Sequence, residues 1–187
     1  MSAAEIMRKG LSIDARVPFS WVALSRCHFG LAELLETVFA AREALELNPY
    51  LDWAHYVLGL ALLDVAGVDD AIAEFEATLA PSPQDSLRVV ATGAKSIALV
   101  LKDDFKGAIH FSRQAQLLPN AALTAHMGNV RALGHLGRTE AASEALLRAK
   151  AAYRHIGITA VKRQHAFSQW RVRDQLLTAL LKAGVTE

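Results

Sequence analysis

The sequence predicts an all-α protein built of antiparallel helix hairpins, on the strength of three observations. Hydrophobic residues make up 52% of the chain, mostly Ala and Leu, and aromatic residues only 7%. Ala and Leu are strong helix formers. Apolar residues also recur at helical spacing within short segments. Finally, the pattern of these segments recurs after 34 residues and ends on proline, which is typical of stacked helical repeats.

Residues 58–83 contain the clearest predicted hairpin. Its apolar residues at helical spacing form two groups, Leu58, Leu62 and Val65, then Ile72, Phe75 and Leu79. Gly67 separates the two groups, and two aspartates follow it, where carboxylates stabilise the positive end of a helix dipole. Pro81 and Pro83 then end the second helix, because proline removes a backbone donor and clashes with the preceding turn.

The same order of large, small and proline residues occurs twice. The second occurrence consists of His55, Leu58, Gly59, Leu62, Ala71, Phe75 and Pro83. The first, 34 residues earlier, consists of Trp21, Leu24, Ser25, His28, Thr37, Ala41, Ala44 and Pro49. Small residues allow the two helices of a hairpin to approach closely, and large residues fill the space between hairpins. The recurrence therefore predicts stacked hairpins.

This pattern resembles the tetratricopeptide (TPR) repeat, whose 34 residues carry W-x2-L-G-x2-Y, then A-x3-F, then proline. His55 replaces the Trp of the motif and Leu62 its Tyr. The resemblance is specific over residues 18–83 and looser over 84–155, where the frame slips by about three residues in a longer first helix. The resemblance implies a right-handed superhelix of these hairpins, and a protein that binds other proteins.

The repeat frame predicts one TPR-like domain over residues 1–187. Its parts are a half-repeat or N-terminal cap (1–17), a repeat (18–51), a repeat (52–84), a lengthened repeat (85–120), a repeat (121–156) and C-terminal capping helices (157–187). Thr139 is the predicted N-cap of a second helix in the fourth repeat. A half-repeat leaves an apolar face unpaired, so the N-terminal segment is either a capping helix or part of a longer array; the sequence leaves both interpretations open.

The chain ends on LLTALLKAGVTE, residues 176–187. This ending and the lengthened third hairpin are similar to the C-terminal TPR region of bacterial multidomain signalling proteins. In those proteins the array follows a class III adenylate/guanylate cyclase domain or a winged-helix DNA-binding domain. The similarity implies a regulatory, cytoplasmic role within a larger signalling protein.

Catalytic, metal and cofactor sites are not predicted. None of the seven histidines lies three or four residues from another, so no helix face offers a pair of ligands. Cys27 and His28 are neighbours and point about 100° apart on a helix. The Asp pairs at 69–70 and 103–104 begin helices, where capping explains them. A single cysteine excludes an internal disulfide and fits a reducing cytoplasm, and the longest apolar run is far below the roughly 20 residues of a membrane helix.

The TPR resemblance also implies a binding groove lined by the first helix of each repeat. The matching positions are Phe19, Val22, Arg26 and Phe29, then Trp53, Tyr56, Leu60, Leu63 and Asp64, then Ile97 and Val100. Val22 and Tyr56 replace the lysine with which chaperone-binding TPRs hold a C-terminal carboxylate, which argues against an acidic tail as ligand. The predicted groove suits a helix or an extended apolar peptide. Packing of Trp53 and Tyr56 against neighbouring helices is an equal alternative.

Charge is segregated along the chain. Residues 33–85 contain eleven acidic residues and one basic residue, whereas residues 86–173 contain fourteen basic and four acidic residues. Such a distribution favours head-to-tail self-association or orientation of an acidic partner. A less favoured alternative is binding of nucleic acid or another acidic ligand through the basic C-terminal half. Its basic residues are Arg148, Lys150, Arg154, Lys162, Arg163, Arg171 and Arg173, near Tyr153 and Trp170. No nucleic-acid-binding motif accompanies this set, so a solvated helix face is the preferred interpretation.

Overall fold

A computed structural model describes residues 3–80, 85–121, 123–153, 178 and 181 of the protein. Within these ranges the elements are α1 (Ala3–Ile13), α2 (Pro18–Gly30), α3 (Leu34–Leu47), α4 (Asp52–Val65), α5 (Val68–Leu79), α6 (Asp85–Leu101), α7 (Phe105–Gln116), α8 (Leu123–His135) and α9 (Thr139–Ala152). Every element of the described ranges is therefore a helix, and the predicted all-α class is confirmed.

The helices belong to two compact units, an N-terminal unit (1–83) and a C-terminal unit (84–187). In the N-terminal unit each helix from α1 to α5 packs against the next one, and α2 also packs against α4. In the C-terminal unit α6 to α9 pack in the same order, and α6 also packs against α8. Helices joined by short loops and packed in this order form a stack of antiparallel hairpins.

The interior of the α4–α5 hairpin shows why the motif needs a small residue. A Cβ atom added at Gly59 would lie 2.7 Å from Cε1 of Phe75 and 3.2 Å from the Ala71 carbonyl oxygen. Phe75 is fully buried, as is Ser25 at the position that corresponds to Gly59 in the preceding hairpin. The small residue thus permits the close approach that the sequence predicted.

The loops inside the hairpins use residues with positive φ. Gly67 (φ 141°) lies between α4 and α5, and Gly137 (φ 68°) between α8 and α9. Ala32 (φ 61°) and Asp103 (φ 63°) adopt the left-handed conformation in the other two loops. A residue with a Cβ atom pays about 1–2 kcal/mol for this conformation, so Ala32 is a strained position.

Capping was predicted correctly at one helix and wrongly at another. The Asp104 side chain accepts a hydrogen bond from the Gly107 backbone N–H at 2.9 Å and so caps α7. The prediction that Thr139 caps α9 is wrong, because Thr139 is the first helical residue and Arg138 takes the cap position without a side-chain hydrogen bond. The predicted lengthening of the third hairpin is confirmed by α6, which has 17 residues.

Some predictions fall outside the described residues. Pro81 and Pro83 are among them, and so is the predicted capping segment 157–187 except Thr178 and Leu181, which are helical. Among the described helices, none is both long enough and apolar enough to cross a membrane.

Candidate functional site

The candidate site lies on the N-terminal unit, where α2 and α4 pack side by side. We call it the α2–α4 face; the predicted groove residues it contains are Phe19, Arg26, Phe29, Trp53, Tyr56, Leu60, Leu63 and Asp64. α2 begins at Pro18, whose fixed φ suits the first turn of a helix. α4 begins at Asp52, whose carboxylate lies in the first turn near the positive end of the dipole.

Three side chains form the centre of this face. The Arg26 guanidinium carbon lies 4.8 Å from the centre of the Trp53 ring, a cation–π contact between α2 and α4. The Tyr56 ring meets the Trp53 ring edge-on at 5.9 Å and 82°. Cation–π and edge-to-face contacts each contribute about 0.5–1.5 kcal/mol. The Trp53 ring is therefore held from two sides before any partner binds.

Tyr56 also connects this centre to the hairpin interior, since its ring lies 6.3 Å from the ring of Phe75. Burial raises the pKa of the Tyr56 phenol to about 12, and the nearby charge of Arg26 partly offsets this. Because the pKa lies far above neutral pH, the phenol is a neutral hydrogen-bonding group there.

The predicted groove residues differ in exposure. Phe19 is 64% exposed, Arg26 is exposed, and Phe29, Trp53, Tyr56, Leu60, Leu63 and Asp64 are half-buried. Val22 is only 4% exposed and packs with Ala44, Leu51 and Ala54 in the core of the N-terminal unit. Ile97 and Val100 are each 3% exposed in α6. Val22, Ile97 and Val100 therefore belong to the core. The other eight of the eleven predicted groove residues keep some accessible surface.

Two histidines pair with carboxylates that the sequence interpretation missed. His55 Nδ1 lies 2.6 Å from Glu74 Oε2, and its Nε2 lies 3.0 Å from the Pro49 carbonyl oxygen. An ionised Glu74 and a backbone carbonyl both accept hydrogen bonds, so these contacts favour the imidazolium form, in which both ring nitrogens donate. The hydrogen bond to Glu74 is the main cause of the raised His55 pKa, and burial acts in the opposite direction.

His28 makes a different connection. It is buried; Nδ1 lies 2.5 Å from Glu33 Oε2, and Nε2 lies 3.4 Å from Arg8 Nη2. A guanidinium only donates, so Nε2 accepts and Nδ1–H donates to the carboxylate. This chain of contacts connects α1 to α2 and the loop after it. Glu33 precedes α3 and Glu74 lies within α5, each with other carboxylates in the same segment, so the sequence carries no specific signal for either pairing.

A second surface of the N-terminal unit was not predicted. We call it the α1–α3 groove, a cavity of about 480 Å³ with Leu11, Trp21, Leu24 and Ala40 on its floor. Phe39 of α3 forms one wall, is 59% exposed and meets the Trp21 ring edge-on at 6.0 Å. Glu36, which is exposed, lines the same cavity. This groove is open and apolar at its floor, and its lining also includes one carboxylate, Glu36, and one guanidinium, Arg8.

For metal binding and nucleic-acid binding, the structure is informative only within the described residues. In the described ranges no three His, Cys, Asp or Glu residues are close enough together to hold a metal ion. Of the basic set in the C-terminal half, only Arg148 and Lys150, with Tyr153, are described, and Arg148 pairs with Glu144 at 3.0 Å. The remaining members lie outside the described residues, so the nucleic-acid alternative stays a prediction.

Several solved structures are similar in fold to this chain. YrrB, a TPR protein with an unusual peptide-binding site, matches with a TM-score of 0.67 and 19% identity over 97% of this chain and 92% of its own. The type IV pilus biogenesis factor PilW matches with a TM-score of 0.75 and 16% identity, over 95% and 78% respectively. MamA matches with a TM-score of 0.68 and 14% identity, over 80% and 85%. These similarities support a TPR-like fold.

The sequence comparisons add nothing further, since no family model and no curated protein matches the chain. The structural similarities establish no link to cyclase or winged-helix regulators. That link stays a prediction.

Proposed function

We propose that the protein is an interaction module that binds a peptide or a helix of another protein on the α2–α4 face. The observation that carries the proposal is the cluster of Arg26, Trp53 and Tyr56, with exposed Phe19 on the same pair of helices. Trp, Tyr and Arg are the residues that most often dominate binding energy at protein interfaces. The YrrB comparison adds support, because that protein of similar fold has a peptide-binding site.

The arrangement suits an apolar ligand. Arg26 and Tyr56 fix the Trp53 ring, so binding costs little further side-chain entropy there. Leu60 and Leu63 extend apolar surface along α4. Neither repeat of this unit offers a lysine at the clamp position, where Val22 is buried and Tyr56 is a neutral phenol. A helix with an apolar stripe, or an extended apolar peptide, fits this chemistry better than an acidic tail.

A selection experiment tests the proposal. The full chain is immobilised, and peptides of about 15 residues, long enough for four helical turns, are selected from a random displayed library. The proposal expects peptides that bind the wild type and lose binding to Phe19→Ala combined with Trp53→Ala. Tyr50→Ala is the matched control, because Tyr50 is a largely exposed aromatic residue outside this face. Peptides that bind all three proteins equally would overturn the proposal.

The finer part of the proposal is a regulatory role in a cytoplasmic bacterial signalling protein, with residues 1–187 acting as one repeat domain. It rests on the similarity of the chain's ending to that group. The gene sequence upstream of Met1 tests it: an in-frame cyclase or DNA-binding domain supports the role, and an unrelated domain or a stop codon contradicts it.

A further inference from the structure

The α1–α3 groove has no described occupant and is chemically different from the α2–α4 face. Its floor is apolar, and Phe39 stands over it with more than half of its side chain exposed. Glu36 lines the groove, and Glu33, which pairs with His28 at its inner end, is also exposed. Arg8 also lines the groove, where it contacts His28 and keeps its positive charge, so a cationic group of a ligand would lie near Glu36 and away from Arg8. A ligand that combines apolar side chains with positive charge suits these surroundings.

The net charge of the N-terminal unit also favours a positively charged ligand. Residues 1–83 contain twelve acidic and five basic residues. Residues 154–187 contain six basic residues and two acidic ones, Asp174 and Glu187. Opposite net charges on two parts of one chain accelerate and orient association between copies.

The C-terminal segment also carries apolar residues at helical spacing. Placed on a helix, Val172, Leu176, Leu177, Leu180 and Leu181 cover an arc of about 180°, wider than the roughly 100° that contact with one neighbour requires. Leu181 lies at the edge of this arc, is helical and is 59% exposed. Lys182 follows it directly and Arg171 precedes it by ten residues. The sequence of the segment therefore combines apolar residues at helical spacing with basic residues, and its described residue Leu181 is exposed.

We propose that the α1–α3 groove of one copy receives the C-terminal segment (residues 154–187) of a second copy. Leu181 contacts the apolar floor beside Trp21 and Phe39, and the basic residues of the segment face Glu33 and Glu36. The inference goes beyond the proposed function, because it uses a different surface and a second copy as the partner. The contact is heterologous, so a growing assembly keeps one unused groove at one end and one unused segment at the other.

Two single substitutions in the full chain test this association by sedimentation velocity. Phe39→Lys places a cation in the groove, and Leu181→Asp places an acid on the segment; both side chains are more than half exposed, so the fold tolerates the changes. Tyr50→Lys and Leu117→Asp are the matched controls on largely exposed residues elsewhere. Circular dichroism at 222 nm checks that all variants keep the wild-type helix content.

The wild type and both controls are expected to gain mass with concentration at about 20 mM salt and to lose it at about 500 mM, where charges are screened within a few ångströms. Each test variant alone stays monomeric. An equimolar mixture of the two forms a dimer and nothing larger, because only one groove and one segment remain functional. Trp53→Ala leaves the association unchanged, which separates this result from a failure of the α2–α4 proposal.

Three results would overturn the inference. The first is a wild type that stays monomeric at about 200 µM in low salt, where even weak contacts between opposite charges persist. The second is association of both test variants to the same extent as the wild type. The third is a mixture in which the two monomeric variants fail to form a dimer, since that indicates a symmetric contact using one surface on both copies.

Discussion

The pairing of His55 with Glu74 makes the stability of the N-terminal unit depend on pH, and Glu74→Gln is the perturbation that tests it. Hydrogen bonds to charged groups contribute about 1.5–3 kcal/mol. The His55 and Glu74 side chains are 17% and 25% exposed, so solvent screens part of this interaction. We therefore expect Glu74→Gln to lower the free energy of unfolding by about 1–2 kcal/mol near pH 6.

The direction of the pH dependence follows from the raised His55 pKa. A histidine whose pKa is higher in the folded state contributes stability that is fully present below its unfolded value of 6.5. This contribution is lost as the pH rises through the folded pKa. The wild type therefore loses stability above pH 6.5, and Glu74→Gln loses much less over the same range. The difference in the free energy of unfolding between Glu74→Gln and the wild type therefore becomes smaller as the pH rises.

Urea denaturation followed by circular dichroism at 222 nm, at several pH values on both sides of 6.5, measures this difference. Glu46→Gln serves as the control, because Glu46 is an exposed carboxylate on α3 and its loss is expected to change the free energy of unfolding by less than about 0.5 kcal/mol. Parallel stability profiles for the wild type and Glu74→Gln would refute the assignment of an imidazolium at His55.

Three backbone substitutions test the packing and the loops by the same urea measurement. Ala32→Gly should stabilise the protein by about 0.5–1 kcal/mol, because Ala32 has φ 61° and glycine adopts this conformation without strain. A loss of stability would contradict the assignment of backbone strain at Ala32. Gly59→Ala should destabilise it by about 1–3 kcal/mol, because the new methyl group would lie 2.7 Å from Phe75. Gly10→Ala, in helix α1 with nothing within 4 Å of the added atom, should stabilise by about 0.5–1 kcal/mol; equal effects at Gly10 and Gly59 would refute the packing argument.

The fold was predictable from the sequence because its determinants are local and recur. The small residue at Gly59, the large residue at Phe75 and the glycine at Gly67 each fix one feature of a hairpin, and the structure places all three as expected. The added length of α6 was visible as a slip in the repeat frame.

The candidate site was only partly predictable. A repeat position gives the side of the helix on which a residue lies, but burial depends on neighbouring helices. Val22 faces Ala44, Leu51 and Ala54 and so belongs to the core, and Ile97 is buried in α6. The exposed Arg26 was on the predicted face, but its stacking on Trp53 depends on how α2 packs against α4.

The histidine pairs and the α1–α3 groove could not be read from the sequence for a related reason. His55 and Glu74 are separated by 19 residues and lie on different helices, so helical spacing within one segment does not reveal them. The groove is lined by residues of α1, α2 and α3 together, and no local sequence pattern encodes how three helices meet.

The central claim, binding on the α2–α4 face, is tested most directly by calorimetric titration of one selected peptide into wild-type protein, Trp53→Ala and Tyr50→Ala. Removing a Trp at the centre of an interface typically costs about 2 kcal/mol or more, so we expect the dissociation constant of Trp53→Ala to rise by at least about 30-fold. Tyr50→Ala should bind as the wild type does. Binding by Trp53→Ala within about 2-fold of the wild type, with unchanged helix content, would contradict the account.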